Sequence, residues 1–496
     1  NMALLVTVFM KGIPILILVY VIIKILSLFR RRWALQALFR AFPGPKPTFL
    51  GGNSAELTGD YRGMVRLAEY SLQYQGAFPV WMGPFDAFLM ATHPDIAKYV
   101  LSGSDPKDEI SYSLMRPWIG DGLLLSGGRK WDRNRRLLTP AFHVEILKNY
   151  VKIFNASLRI LSQKWSAVVE PVDVFHHISL LTLDNMMKCL FGYESNCQNE
   201  TNRHPYIQGV YEVSDLIVKR IINPLHHMDW IYYCSDNGRK FKRACNTIHL
   251  HSEQIIGSRQ QLLQREKPNS RNVDFLDILL TAKDSEGKGL TNDEIRDEVD
   301  TFRFEGHDST ASAISWCLYN LAKHPEHQDR CREEILSVIG NKRDPEWDDL
   351  GKLEYTYMCL QESMRLYPPV PNISRVTEKP IELPEGRLIP EGVRVGVSIF
   401  ALQRHPDIWA KPDEYDPSRF CKDVTRSSIY YMPFSIGPRN CIGQQFALTQ
   451  IRIVVAMILR RFRLSLDPDR EAEPESALIL RSKNGLYLKI QAVSDD

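Results

Sequence analysis

Residues 434–443 read FSIGPRNCIG, with Cys441 set after an arginine, between glycines, and just ahead of a helix-like run. An isolated cysteine is most often a small buried hydrophobe. This frame points elsewhere. Gly437 permits a positive φ and hence a tight turn. Arg439 brings positive charge close to the sulfur, and Gly443 lets the backbone approach a flat partner. Beyond it, Ile442, Phe446, Ile451, Val454, Val455 and Ile458 recur at roughly helical spacing. The sulfur is therefore expected near a helix N-terminus, where the dipole and Arg439 both favour thiolate over thiol. A thiolate held this way serves as a nucleophile or a metal ligand.

The chain has 496 residues, of which 44% are hydrophobic, enough for a large core. Its 62 basic and 59 acidic residues leave a net charge of +3, so nucleic acid is not expected as a partner. The nine cysteines are odd in number and show no CxxC pair, which suits reduced thiols in a reducing compartment. N-x-S/T sequons at Asn155, Asn199 and Asn372 read as chance matches if the main domain is cytosolic.

Met2 to Ile23 is nearly all apolar, broken by Lys11, and Arg30, Arg31 and Arg32 follow. Such a run can span a hydrocarbon core of about 30 Å. Flanking arginines tend to stay cytoplasmic. No small-residue cleavage site follows, so an uncleaved anchor is expected rather than a signal peptide. The organisation expected is an anchor with a basic stop over 1–32, then an amphipathic segment and proline hinge (Pro43, Pro45, Pro47) over 33–49, and one large domain over 50–496. Helical patterns dominate that domain. Short strands are expected at Phe78–Trp81, at Ala87–Met90 and between Ile381 and Val397, and a charged loop from Gln264 to Asn272.

One helix pattern stands out. It opens on a capping box, Thr291 with Glu294, and stops before Pro325. Roughly 33 residues at about 1.5 Å each make a rod of about 50 Å. Its middle reads Glu305, Gly306, His307, Asp308, Ser309, Thr310, where a core-crossing helix should be apolar. Spacing puts Glu305, Asp308 and Ser309 on one face. Taken alone, the cluster is read more simply as a solvated stripe or a satisfied polar network.

The Cys441 frame, this polar interruption and Glu362-x-x-Arg365 occur together, and here the chain resembles the cytochrome P450 family of haem-thiolate monooxygenases. Phe434, Gly437, Arg439, Cys441 and Gly443 match F-x-x-G-x-R-x-C-x-G. The resemblance runs from anchor to C-terminus. It implies a mainly α fold with small β-sheets, preceded by a single transmembrane helix, and a haem b cofactor. It implies that Cys441 is the axial iron ligand, with Phe434 beside the haem, and that Trp131, Arg135, Arg375 and Arg439 reach its propionates. Glu362, Arg365 and Arg419 resemble the family's buried salt-bridge triad, a structural feature. Taken singly, the tryptophan would read as core and the arginines as surface charge.

A thiolate ligand opposite bound oxygen favours O–O cleavage, which also consumes protons. Asp308 and Ser309, with Thr310 beside them, resemble the family's acid–alcohol pair. Threonine is usual where this chain has Ser309. The serine lacks the methyl that limits χ1, so more reducing power is expected to leak as peroxide. Glu305, where alanine is common, resembles the fatty-acid omega-hydroxylases of family four, whose glutamate becomes esterified to a haem methyl. The simpler reading is an unmodified glutamate hydrogen-bonded near the haem. Arg303, another departure, is expected to point away from the site.

The implied activity is terminal hydroxylation of a fatty acid or eicosanoid at an endoplasmic reticulum membrane, using O2. Channel walls are expected at Leu123, Leu124, Leu125, Asn372 and Ile373. The chain has no dinucleotide fingerprint, so NADPH is expected to act through a separate NADPH-cytochrome P450 reductase, with cytochrome b5 as a further partner. Lys130, Arg133 and Arg136 are read equally well as part of a docking face or as solvated charges. Two other readings stay open: a haem-thiolate isomerase or lyase of lipid peroxides, and a non-enzymatic haem-binding protein.

Overall fold

Long runs of helices are separated by short clusters of strands along the chain. The computed structural model describes residues 2–74, 76–199, 205–265, 274–384, 386–422 and 429–493, the side chains of 2–14, 17, 222 and 224 excepted. The helices used below are α1 (Met2–Leu38), α2 (Gly128–Leu138), α3 (Val174–Phe191), α4 (Asp236–Arg265), α5 (Asn292–Lys323), α6 (Pro325–Val338), α7 (Glu354–Leu366) and α8 (Gln444–Arg461). The main sheet holds β1 (Ala77–Trp81), β2 (Ala87–Ala91), β3 (Asn372–Val376) and β4 (Arg394–Ser398) in the order β1-β2-β4-β3.

Helix α5 forms where its signals place it. Thr291 caps it, and both hydrogen bonds of the capping box are present. It ends at Lys323, and Pro325 opens α6 instead of merely stopping α5, since proline suits a first helical turn. From Val299 to Leu321 it is buried almost throughout, flanked by α3, α7 and α8. Phe302 packs 4.3 Å from the ring of Phe275, and Ile314, Leu318 and Leu321 continue the core toward α8. Each fully buried side chain of this kind contributes about 1.5–3 kcal/mol. The polar middle of α5 is therefore carried through the centre of the domain by its apolar flanks.

β1 and β2, both expected as strands, pair antiparallel, with Trp81 opposite Ala87. β2 and β4 run parallel, and β3 closes the sheet antiparallel to β4, with Ser374 opposite Gly396. β3 was expected only as channel wall. Its polar residues hide the strand, which long-range pairing with β4 supplies. The C-terminal strands Phe462–Leu466 and Tyr487–Ala492 were likewise not expected and pair with each other.

Helix α1 runs unbroken from Met2 to Leu38, across the boundary expected at residue 32. Leu35 and Leu38 pack on the sheet cluster, while Trp33 stays exposed. The expected span Met2–Ile23 falls largely on side chains outside the described residues. Among the described residues no helix is long and apolar enough to cross a membrane. Of the expected loop from Gln264 to Asn272, Gln264 and Arg265 end α4 and the rest lies outside the described residues. The sequon at Asn155 is buried and donates to Pro345 O, and Asn372 lies in β3. The sequon at Asn199 runs into residues outside the description.

Glu362 and Arg365 are fully buried and doubly hydrogen-bonded at 2.7 and 2.8 Å, and Arg419 Nε lies 3.3 Å from the same carboxylate. Arg365 also donates to Gln403 O, Pro412 O and Glu414 O. The group ties α7 to the segment that precedes the Cys441 loop.

Candidate active site

One cavity of about 590 Å³ lies between α5 and the Cys441 loop. Its lining includes Cys441, Glu305, Ser309, Thr310, Trp131, Arg135, Arg439 and Phe434. The volume falls within the usual range for cofactor and ligand sites.

The loop is built as its glycines suggest. Gly437 has φ of 76°, and a side chain there would run into the backbone of Leu101. Cys441 donates its N–H to Phe434 O at 3.0 Å, which folds the loop back on itself. Gly443 caps α8, so the sulfur sits just before a helix N-terminus. Cys441 is open to the cavity, yet the domain enclosing it and the negative charge of Glu305 push its thiol up to about 12, and the Gly443 N–H and Arg135 offset this only partly. Arg439 is not the relevant cation, because its guanidinium lies 4.8 Å over the Trp131 ring and donates to Asp105 O and Ser126 O. A metal at this sulfur would supply the missing positive charge.

Three cations, Lys107, Arg135 and Arg439, line the cavity, and a fourth, Arg375, is buried close enough to repel Lys107 and Arg439. Arg135 donates to Asn440 O and Asn440 Oδ1, both at 2.9 Å. Arg375 donates to Ser374 O at 2.8 Å, and its Nε is buried without a partner. Lys107 Nζ lies 4.9 Å from the Tyr112 ring. Burial holds the Lys107 ammonium well below its usual range, and Arg375 and Arg439 add to this by repulsion. Burial likewise brings Arg439 down to about 10. Among the described residues none of these four forms an ion pair with a carboxylate. Packed, mutually repelling cations of this kind call for an anionic ligand, since a buried charge is costly unless paired. A haem, with two carboxylates and a metal, fits that donor set and the cysteine beneath it. Lys107 was missed in the sequence. It follows an Asp-Pro pair in a segment without periodicity, and only the folded chain brings it to Arg375.

Helix α5 forms the opposite wall. Burial raises the Glu305 carboxyl to about 7, and Lys107 and Arg135 draw it back. Ser309 lies one turn on and donates to Glu305 O at 2.8 Å, and Thr310 donates to Gly306 O at 3.1 Å. The expected single face divides. Glu305 and Ser309 face the cavity, whereas Asp308 is buried behind them in an ion pair with Arg481. Arg303 points away as expected, donating to Ser252 Oγ at 2.5 Å and lying 3.9 Å over the Tyr206 ring.

Leu123, Leu124, Asn372 and Ile373 line the cavity, but Leu125 does not and packs into the core. Lys130 pairs with Asp121, and Arg133 pairs with Asp284 and Glu294, each at 3.0 Å. Of the basic trio only Arg136 remains an outward charge, bonded to its own helix at Asp132 O.

The family model described as Cytochrome P450 matches residues 42–490. The chain is 47% identical over 430 residues to the human protein named ultra-long-chain fatty acid omega-hydroxylase, covering 83% of this chain and 81% of that one. It is 43% identical over 475 residues to human Cytochrome P450 4F2, covering 92% and 91%. It is 42% identical over 499 residues to leukotriene-B4 omega-hydroxylase 3 of Mus musculus, covering 96% and 94%.

Proposed function

Because the chain belongs to the cytochrome P450 family, we propose that it hydroxylates fatty acids or related lipids such as eicosanoids, mainly at the terminal carbon. The observation that carries this reading is Glu305 in the cavity wall, under Lys107 and Arg135, in a chain so similar to proteins named as omega-hydroxylases. Haem bound here would supply oxygen activation, using O2 and two electrons to put one oxygen atom into a C–H bond and release the other as water. Cys441 would ligate its iron. Trp131, Arg135, Arg375 and Arg439, with Lys107, would hold its propionates, and Phe434 would pack beside it.

The chain's own residues do the rest. Ser309 offers a hydroxyl at the wall, and Asp308 lies next to it in sequence as the acid that resupplies protons, with Thr310 as a second hydroxyl. The serine hydroxyl is tied back to Glu305 O, so it must turn to serve the cavity. A terminal C–H is stronger than the methylene next to it, so selectivity has to come from shape. An ester between Glu305 and the haem would narrow the cavity floor and remove a buried charge. Leu123, Leu124, Asn372 and Ile373 would form the walls that present the chain end.

Electrons would come from NADPH through a separate reductase, with cytochrome b5 as a further partner. A membrane setting, with the domain on the cytosolic face of the endoplasmic reticulum, is supported by the exposed apolar residues of α1, among them Leu16, Leu18 and Ile23. The test is the product distribution from a saturated medium-chain fatty acid with reductase and NADPH. Mostly terminal alcohol is expected. Mostly subterminal alcohol would reject terminal selection, and no alcohol from a protein with intact thiolate ligation would reject the hydroxylase reading in favour of an isomerase.

A further inference from the structure

The loop that carries Leu123 and Leu124 is held from behind by one stretch of α5. Thr301 Oγ1 donates to Ile119 O at 3.1 Å, and Asp297 Oδ2 accepts from the Asp121 N–H at 2.9 Å. Glu298 Oε2 accepts from the Leu123 N–H at 3.0 Å, and its Oε1 accepts from Asn134 Nδ2 at 2.8 Å. None of Asp297, Glu298 and Thr301 lines the cavity. The loop can lie this close only because Gly122 has no side chain, since a β-carbon there would sit 2.5 Å from Thr301 Oγ1. Glu298 is fully buried, which is costly for a carboxyl whose bonds serve packing alone.

Glu298 joins three elements. It ties α5 to the cavity-wall loop at Leu123, and to α2, the helix of Trp131 and Arg135, at Asn134. It also precedes Glu305 by two helical turns, so both project from nearly the same face, about 10 Å apart along the axis. The wall at Leu123 and the cavity residue Glu305 are thus set on one rigid ruler. We infer that Glu298 is a positioning residue for regioselectivity: by fixing the Leu123–Leu124 wall relative to Glu305, it determines which carbon of a lipid chain is presented. This rests on the hydroxylase reading above.

The required property is one hydrogen bond to Leu123 and one to Asn134, which separates Glu298 from a mere packing group. Glutamine can reproduce it. Asn134 Oδ1 is buried without a partner, so a turned Asn134 amide would accept from the glutamine amide while the glutamine oxygen keeps the Leu123 N–H. Leucine fills the space but leaves both donors unmet. Thr301→Val removes a different tether of the same loop and leaves Glu298 in place.

The experiment measures the ratio of terminal to subterminal alcohol from a saturated medium-chain fatty acid, with full-length enzyme, reductase and NADPH. A ratio does not depend on how much protein folds. Glu298→Leu is expected to lower it about fivefold, equivalent to about 1 kcal/mol between the competing barriers. Thr301→Val is expected to lower it in the same direction, and Glu298→Gln to keep the wild-type ratio. If Glu298→Leu does not fold, the other two variants decide. An unchanged ratio in Thr301→Val and in any folded Glu298→Leu overturns the inference, as does a Glu298→Gln ratio as low as that of the loop-releasing variants. A wild type that makes no terminal alcohol removes the underlying reading and the inference with it. A wild type that makes it while the variants keep its ratio overturns the inference alone.

Discussion

Replacing Glu298 by glutamine should also change how stability depends on pH. Burial raises the Glu298 carboxyl from 4.5 to about 7, and its bonds from Leu123 and Asn134 only partly offset this. A carboxyl raised on folding contributes stability that is fully present below its unfolded value and is lost as pH rises through its folded value. At about 1.36 kcal/mol per pKa unit, the gap is worth about 3.4 kcal/mol when complete. About 2 kcal/mol of this falls between pH 5.5 and 7.5, because the unfolded carboxyl is already ionised there while the folded one is still titrating. Glutamine mimics the protonated form and has no such dependence. The measurement is urea unfolding of both full-length proteins at the two pH values, followed by tryptophan fluorescence. All other titrating groups cancel in the difference. The variant should gain about 2 kcal/mol on the wild type between pH 5.5 and 7.5. A difference that stays flat, or runs the other way, would refute the claim that this carboxyl is held protonated by burial.

Other substitutions give sharper local readouts. Glu362→Ala leaves Arg365 and Arg419 buried without their carboxylate and should cost about 3–5 kcal/mol, seen as a large drop in thermal unfolding temperature. Ser309→Thr restores a methyl that restricts χ1, so less peroxide should form per NADPH consumed; equal leakage would sink the argument about the serine. Lys107→Met removes one of the three cations that line the cavity and should speed haem transfer to apomyoglobin about tenfold, whereas an unchanged rate would place Lys107 outside propionate binding.

The parts of the fold visible in sequence are those whose cause is local. The Thr291–Glu294 capping box, the positive φ at Gly437 and the short approach of Glu362 to Arg365 each involve residues close together in the chain. The hidden parts are those fixed by distant segments. β3 is polar enough to read as loop, and becomes a strand because β4 pairs with it. Lys107 gains meaning only beside Arg375 and Arg439. Arg439 itself sits correctly in its motif, yet its guanidinium turns to Trp131 rather than to the sulfur, which no spacing rule reveals. The Cys441 thiol meets both kinds of cause: the Gly443 N–H, close in sequence, lowers it, while enclosure by the domain and the distant Glu305 raise it.

Asp308 and Ser309 extend this point from structure to function. Successive residues on a helix point about 100° apart, so an acid and an alcohol next to each other in sequence cannot both face one cavity squarely. Here the alcohol faces it and the acid is held behind by Arg481. Arg481 belongs to the hairpin of strands Pro474–Ser476 and Leu480–Ser482, whose connecting residues Ala477, Leu478 and Ile479 line the same cavity. Ser312 of α5 grips that hairpin too, donating to Leu480 O at 2.6 Å. Asp308 and Ser312, one helical turn apart, thus fasten that hairpin to α5 by an ion pair and a hydrogen bond, contacts whose partners lie more than 160 residues away and which no local pattern announces.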